Sequence, residues 1–172
     1  MGWLFYERAP GETNAEHFTR ELLGTTGEYG EFLATATVAN VFYAAWRKPD
    51  GNVVALVVLT KRAGREFGYK AMDETMGPNE ARCPKSILDA LSPTEYEYAA
   101  EWRRRCHANL ATAATAAKVK KGDRIRFAEP LRFNDGRTRQ TFRFIERSTF
   151  ADDETGTVVR VTSWRTRAWA FA

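Results

Sequence analysis

The chain carries little with which to do redox or metal chemistry. Its 172 residues include two cysteines, Cys83 and Cys106, and two histidines, His17 and His107. Two thiols do not make a disulfide framework and fit a reducing cytoplasm. A Cys/His zinc site would need all four of these residues together, and their spacing gives it no support. The longest apolar run, Val53–Leu59, is seven residues, far below the ~20 that cross a bilayer. The opening "MGWLFYERAP" has no basic leader, long apolar segment or cleavage-like site, so no secretory signal is expected. Its Met-Gly start is followed at the sixth position by Tyr6, not Ser or Thr, which sets acylation aside. The phosphate-cradling loop, the dinucleotide fingerprint, the nucleophile elbow, the HExxH helix and paired CxxC motifs are all missing. The expectation is a protein without metal, cofactor or membrane span.

What is present suits a folded chain of one mid-sized domain or two small ones. Hydrophobic residues make up 44%, charged residues 28% and aromatic residues 13%, with tryptophan at 3, 46, 102, 164 and 169. That is ample material for a core. The net charge of +4 is uneven. Residues 118–172 hold 13 Lys/Arg against 7 Asp/Glu, whereas residues 1–117 hold 13 against 15. A basic final third is either a nucleic-acid footprint or a solvated face that keeps strands soluble.

The patterning predicts an α+β protein. "GWLFYERA" reads as a first strand. "TNAEHFTRELLG" reads as a short helix, with Thr13 and Glu16 at capping-box spacing, Phe18 and Leu22 on one face, and Gly24 as the stop. "EFLATATVANVFYAAWRK" reads as two strands broken near Ala39–Asn40, and Pro49-Asp50-Gly51 as a turn. "VVALVVL" does not alternate with polar residues, so its strand must be covered on both faces. The Phe18/Leu22 helix is one expected cover, and a long helix further on, or a second domain, is the other. That helix is predicted over 93–117, with Ser92 as N-cap, Pro93 at its first position and Glu95 three residues after the cap. Its apolar stripe is Tyr98, Trp102, Cys106 and Leu110, widened by Ala99, Ala113 and Ala117. Glu101 and Arg105 are spaced for an i,i+4 pair.

Beyond residue 117 the predicted strands are "RIRFAEPLRF", "RQTFRFIER", "TVVRVTSW" and "RTRAWAFA", with a turn at Asn134–Gly136 and a loop at "ADDETG". They suggest a small antiparallel β-barrel or an extension of the first sheet. The expected division is an α+β domain over 1–117, including a connecting loop over 67–92, and a basic β-rich region over 118–172 packed on it.

Three groups of residues are candidates for function. Cys83 precedes Pro84, and as the N-cap of a helix over "PKSILDAL" its thiolate would be favoured. The other reading is a small capping, packing residue. Asp73 and Glu74 could act as acid and base or hold a metal if a third carboxylate, Glu80 or Asp89, converged on them. Alternatively, they pair with Lys70, Arg103 or Arg104, or cap backbone amides. Tyr69, Lys70, Arg103, Arg104 and His107 are binding candidates, the last three forming a basic knot in "RRRCH" that suits phosphate, an acidic partner or solvent. In the last third Arg126, Arg132, Arg143, Arg147, Arg165 and Arg167 alternate with aromatics. Strand alternation sends the two kinds of side chain to opposite faces, which serves a small sheet and a single-strand-binding surface alike.

The segments "GYK.MDE.MGP", "CP.SILD.L.PT" and "A.EWR.RC", with the "MGW" start and "VFYAAW…VVALVVLT", resemble a family of small uncharacterised proteins carried by phages, plasmids and integrated elements of bacteria. The resemblance covers roughly residues 1–115. It implies an accessory protein in the cytoplasm of a bacterial host, with nucleic acid or a host protein as partner. It brings no catalytic residue and no oligomeric state. A non-enzymatic binding protein is the first expectation, an enzyme sited in the Tyr69–Cys83 loop the second, and a protein-binding inhibitor of host defence the third.

Overall fold

The computed structural model describes residues 3–6, 11–24, 28–63 and 66–172. The protein is α+β, with two antiparallel five-stranded sheets and three α-helices among the described residues. The chain divides into two compact units, residues 1–110 and 111–172.

The first sheet is built from β1 (Leu4–Tyr6), β2 (Glu31–Val38), β3 (Val41–Arg47), β4 (Val53–Ala63) and β5 (Glu66–Asp73), in the order β1-β5-β4-β3-β2. Gly2 and Glu7–Ala9 of the expected first strand lie outside the described residues. The turn between β3 and β4 uses its residues as their chemistry suggests. Gly51 has φ +85°, and the Asp50 carboxylate accepts the Asn52 N–H at 2.9 Å. At Gly30 a Cβ would come within 1.9 Å of the Arg47 carbonyl oxygen, so only glycine lets the chain enter β2 there.

The central strand β4 separates two cores. Val53, Ala55 and Val57 join Tyr43, Cys83, Ile87, Trp102 and Cys106 on one face. Leu56 and Val58 join Phe18, Phe42 and Tyr69 on the other. Both faces are therefore covered, as the unbroken apolar run requires. The second face is covered by α1 (Asn14–Leu23), whose capping box is formed by Thr13 and Glu16 and whose C-cap is Gly24 at φ +73°. The first is covered by the loop after β5, by the single-turn α2 (Lys85–Leu88) and by α3 (Glu97–Ala116). Burying an aromatic or branched aliphatic side chain of this kind stabilises by about 1.5–3 kcal/mol.

Helix α3 differs from its sequence pattern in four ways. It begins at Glu97, not at Pro93. Ser92 does not cap it, because its hydroxyl accepts the Val53 N–H at 3.0 Å. The buried face is Ala99, Trp102 and Cys106, while Tyr98 is 71% exposed. Glu101 pairs with Arg104, not with Arg105.

The second unit is a separate sheet. β6 (Arg124–Arg132), β7 (Thr138–Glu146), β8 (Thr149–Asp152), β9 (Val158–Arg160) and β10 (Trp169–Phe171) run in the order β10-β6-β7-β8-β9. β9 and β10 are its two edges, so it is neither a closed barrel nor an extension of the first sheet. Ile125, Phe127, Phe142, Phe144, Phe150, Val161 and Trp164 fill its one core. Strand β8 ends inside the expected "ADDETG" loop, and the turn after it is held by Asp152, which accepts the N–H groups of Glu154 (2.8 Å) and Thr155 (3.1 Å).

Candidate functional site

The loop after β5 is built around two acids. Asp73 caps a 3-10 turn over Glu74–Met76 by accepting the Thr75 N–H at 2.9 Å and its hydroxyl at 2.5 Å. Gly77, at φ +62°, ends the turn. Glu74 is 1% exposed and accepts two bonds from Arg103, Nε to Oε2 at 2.7 Å and Nη2 to Oε1 at 2.6 Å. Glu74 Oε1 also accepts the Ala55 N–H of β4 at 3.2 Å, and Arg103 Nη1 donates to the Ser92 carbonyl at 2.7 Å. This fork-to-fork pairing satisfies a buried carboxylate that would otherwise be very costly.

Helix α3 holds the rest of the loop with side chains that follow helical spacing. Trp102 Nε1 donates to the Glu80 carbonyl (2.8 Å), Arg105 to the Pro78 carbonyl (2.6 Å) and Asn109 to the Ala81 carbonyl (2.7 Å). These bonds explain why a connector carries so many polar and charged residues. An irregular backbone beside a core needs donors for its carbonyls.

The other candidates fall in different places. Cys83 is fully buried, and the N-cap of α2 is Pro84, so the thiol does not sit where a helix terminus would ionise it. Burial pushes the Cys83 thiol far up, and the nearby Cys106 and Glu74 push it the same way. Cys83 packs in the core with its thiol held in the neutral form. Cys106 lies in the same core, its thiol pushed up by burial to about 11. Tyr69 is buried on the opposite face of the sheet, its ring 5.3 Å from that of Phe18. Lys70 is half-buried on β5, and Arg104 and His107 are exposed on α3. The structure does not gather these with Arg103 into one site. Asp89 pairs with Lys85, and among the described residues no three His, Cys, Asp or Glu converge on a metal position.

Beside the Glu74–Arg103 pair lies a cavity of about 430 Å³ that sequence patterning does not reveal. Its walls come from the β3–β4 turn, from Thr75, and from the segment Ser92–Tyr96 before α3, with Arg103 reaching it from the helix. Lys48 lines it too, its Nζ 3.5 Å from Asp73 and 5.2 Å from the centre of the Trp46 ring.

In the second unit, alternation separates aromatic from basic residues. Phe127, Phe142 and Phe144 face the core, while Arg124, Arg126 and Arg143 are exposed. Arg124 lies directly across from Arg143, and both reach Asp153. Arg126 donates to Gln140 at 3.2 Å. Arg160, on β9, is opposite Thr149 and exposed. Arg132, at the end of β6, is exposed, as are Arg147, in the β7–β8 turn at φ +49°, and Arg167. Arg165 lies over the Trp164 ring at 4.9 Å.

Among the described residues no helix is long and apolar enough to cross a membrane. No curated protein and no solved structure gives a match. The stretch from Pro93 to Trp169, running from the segment before α3 to the first residue of β10, is similar to a family described as a domain of unknown function (DUF6927).

Proposed function

We propose that this is a non-enzymatic binding protein of a bacterial mobile element that engages nucleic acid through the second unit. The observation that carries the reading is the exposed arginine face of the second sheet. Arg124, Arg126, Arg143 and Arg160 stand on the face away from the aromatic core, where small residues such as Thr141, Thr149, Ala151 and Ala170 leave the backbone open to approach. Asp153 is shared by Arg124 and Arg143 and offsets part of that charge. The aromatics point inward, so such a face would grip phosphates and would not stack bases. Binding of that kind is indifferent to sequence. The resemblance of residues 1–115 to mobile-element proteins supplies the biological setting, with a host nucleic-acid-processing protein as the alternative partner.

The test is fluorescence anisotropy with a labelled duplex and a labelled single strand. About four phosphate contacts predict a log–log salt slope near −3 to −4, so affinity falls roughly a hundredfold between 50 and 200 mM salt. Arg126→Glu with Arg143→Glu is expected to abolish binding, while Arg104→Glu on α3 leaves it unchanged. Unchanged affinity in the double variant, or binding that ignores salt, overturns the reading.

A further inference from the structure

The cavity beside Arg103 belongs to the first unit and is independent of the arginine face. Its volume, about 430 Å³, falls within the range of small-molecule sites, roughly 300–1,000 Å³. Its lining gathers hydrogen-bond donors from several residues. A guanidinium has five N–H groups. Three of those of Arg103 are committed, two to Glu74 and one to the Ser92 carbonyl, which leaves two. Those commitments also fix the guanidinium in place, so a ligand need not order it. The Lys48 ammonium brings three donors and makes one long ion pair with Asp73. The hydroxyls of Ser92 and Thr94 each accept a backbone N–H, from Val53 at 3.0 Å and Tyr96 at 3.2 Å, and so keep their own hydrogens to give.

These donors arrive from three separate segments: the end of β3, the stretch before α3, and α3 itself. A carboxylate offers two oxygens in one plane. A phosphate monoester offers three oxygens in three directions, and charge-assisted bonds to it are the strong ones. Two acids also line the cavity. Asp50 is engaged with the N–H and side-chain amide of Asn52, whereas Glu95 is exposed. These acids offset the charge of Lys48 and Arg103, so the site suits one small anion held by directed hydrogen bonds and not a polyanionic strand. Tyr96, 68% exposed at one wall, offers a ring against which the organic part of a ligand can lie.

We propose that this cavity binds a small phosphomonoester of about nucleotide size, its phosphate held by Lys48, Arg103, Ser92 and Thr94. The first unit is then a small-ligand module, distinct in chemistry from the arginine face.

The experiment is an amide NMR titration of the full chain with inorganic phosphate, with adenosine monophosphate and, as the carboxylate control, with succinate. Saturable shifts are expected at Asn52, Thr75 and Thr94, with the nucleotide binding more tightly than phosphate and succinate more weakly than either. Arg103→Ala risks unfolding the unit, because it strands Glu74. Lys48→Met and Thr94→Val avoid that risk. Removing one charged donor should weaken the nucleotide by tenfold or more, and removing the hydroxyl by severalfold. Arg126→Glu with Arg143→Glu should leave these shifts untouched, so the failure of one proposal does not imply the failure of the other. The proposal is overturned by the absence of saturable shifts up to about 20 mM ligand, by shifts confined to residues 124–160, or by succinate binding as well as phosphate.

Discussion

The two units solve the same problem, a five-stranded antiparallel sheet, in opposite ways. The first covers both faces of its sheet and therefore must bring an irregular loop and its polar groups inside. It does so with a buried bidentate ion pair, Glu74–Arg103, and with three α3 side chains bonded to loop carbonyls. The second has one aromatic core and leaves its arginines at the surface, where Arg124 and Arg143, each more than half exposed, share the half-buried Asp153. A charge pair inside a core holds the structure together. One at the surface leaves its cation available to something else.

That contrast is open to measurement. The largest expected effect is on the ion pairs. Glu74→Ala leaves the Arg103 guanidinium buried without its partner and should cost about 3–5 kcal/mol in urea unfolding of the first unit. Asp153→Ala, which releases two arginines that solvent already reaches, should cost about 1 kcal/mol or less. Equal losses would end the distinction between the two units.

The next effect is on pH dependence, where raised thiols and a raised phenol mark the first unit and a lowered buried carboxyl the second. Burial raises Cys106 from its ordinary 9.0 to about 11 and Tyr43 from 10.0 to about 12, and pushes Cys83 up as well. These groups fold in their neutral forms. Their contribution is complete below the unfolded values and is lost as pH rises toward the folded ones, so the first unit should weaken from about pH 9 to pH 11. Cys106→Ala should flatten part of that slope. In the second unit, burial raises Asp152, but the amides of Thr155 and Glu154, and Arg139, outweigh it and hold the carboxyl below its usual 3.8. Its contribution is present above that value and is lost as pH falls through the folded one. Exchange protection of amides in each sheet, followed from pH 3 to 11, separates the two trends. If the first unit keeps its protection at alkaline pH, or the second keeps its own at acid pH, the assignment of these groups is wrong.

The smallest effect sharpens the first unit alone. Thr13→Ala removes the α1 capping box and should cost about 1 kcal/mol, read as a lowered unfolding midpoint. The second unit's amide protection should not change.

Much of this architecture could be read from the residues. The unbroken run of β4 required two covers, and both are present. Thr13 and Glu16 close the predicted box. The Phe/Arg alternation of β6 and β7 predicts the inward and outward faces of the second sheet. Local signals failed where a distant residue claimed the same atoms. Ser92 looked like a cap, but its hydroxyl is taken by Val53, 39 positions away. Tyr98 fitted the apolar spacing, but the core contact falls one residue later, at Ala99. Cys83 looked like a helix N-terminus because the pattern does not show that Pro84 holds that place and that β4 closes over the thiol. The sequence names Arg103 among three possible partners for the acids, and only the fold selects it. The cavity at Lys48 depends on a turn and a pre-helical segment more than 40 residues apart, which no local pattern joins.

The two-sided burial of β4 also has a consequence for synthesis. As the chain leaves the ribosome, α1 precedes β4, so one side of the strand can be shielded at once. The other side waits for Trp102 and Cys106, some 40 residues later. Over that interval a seven-residue, uncharged, β-branched segment has one naked face, the kind of segment that joins with its neighbours into aggregates. The rate at which translation passes from Ala63 to Cys106 therefore sets how long the nascent protein depends on a chaperone or on dilution to stay in solution.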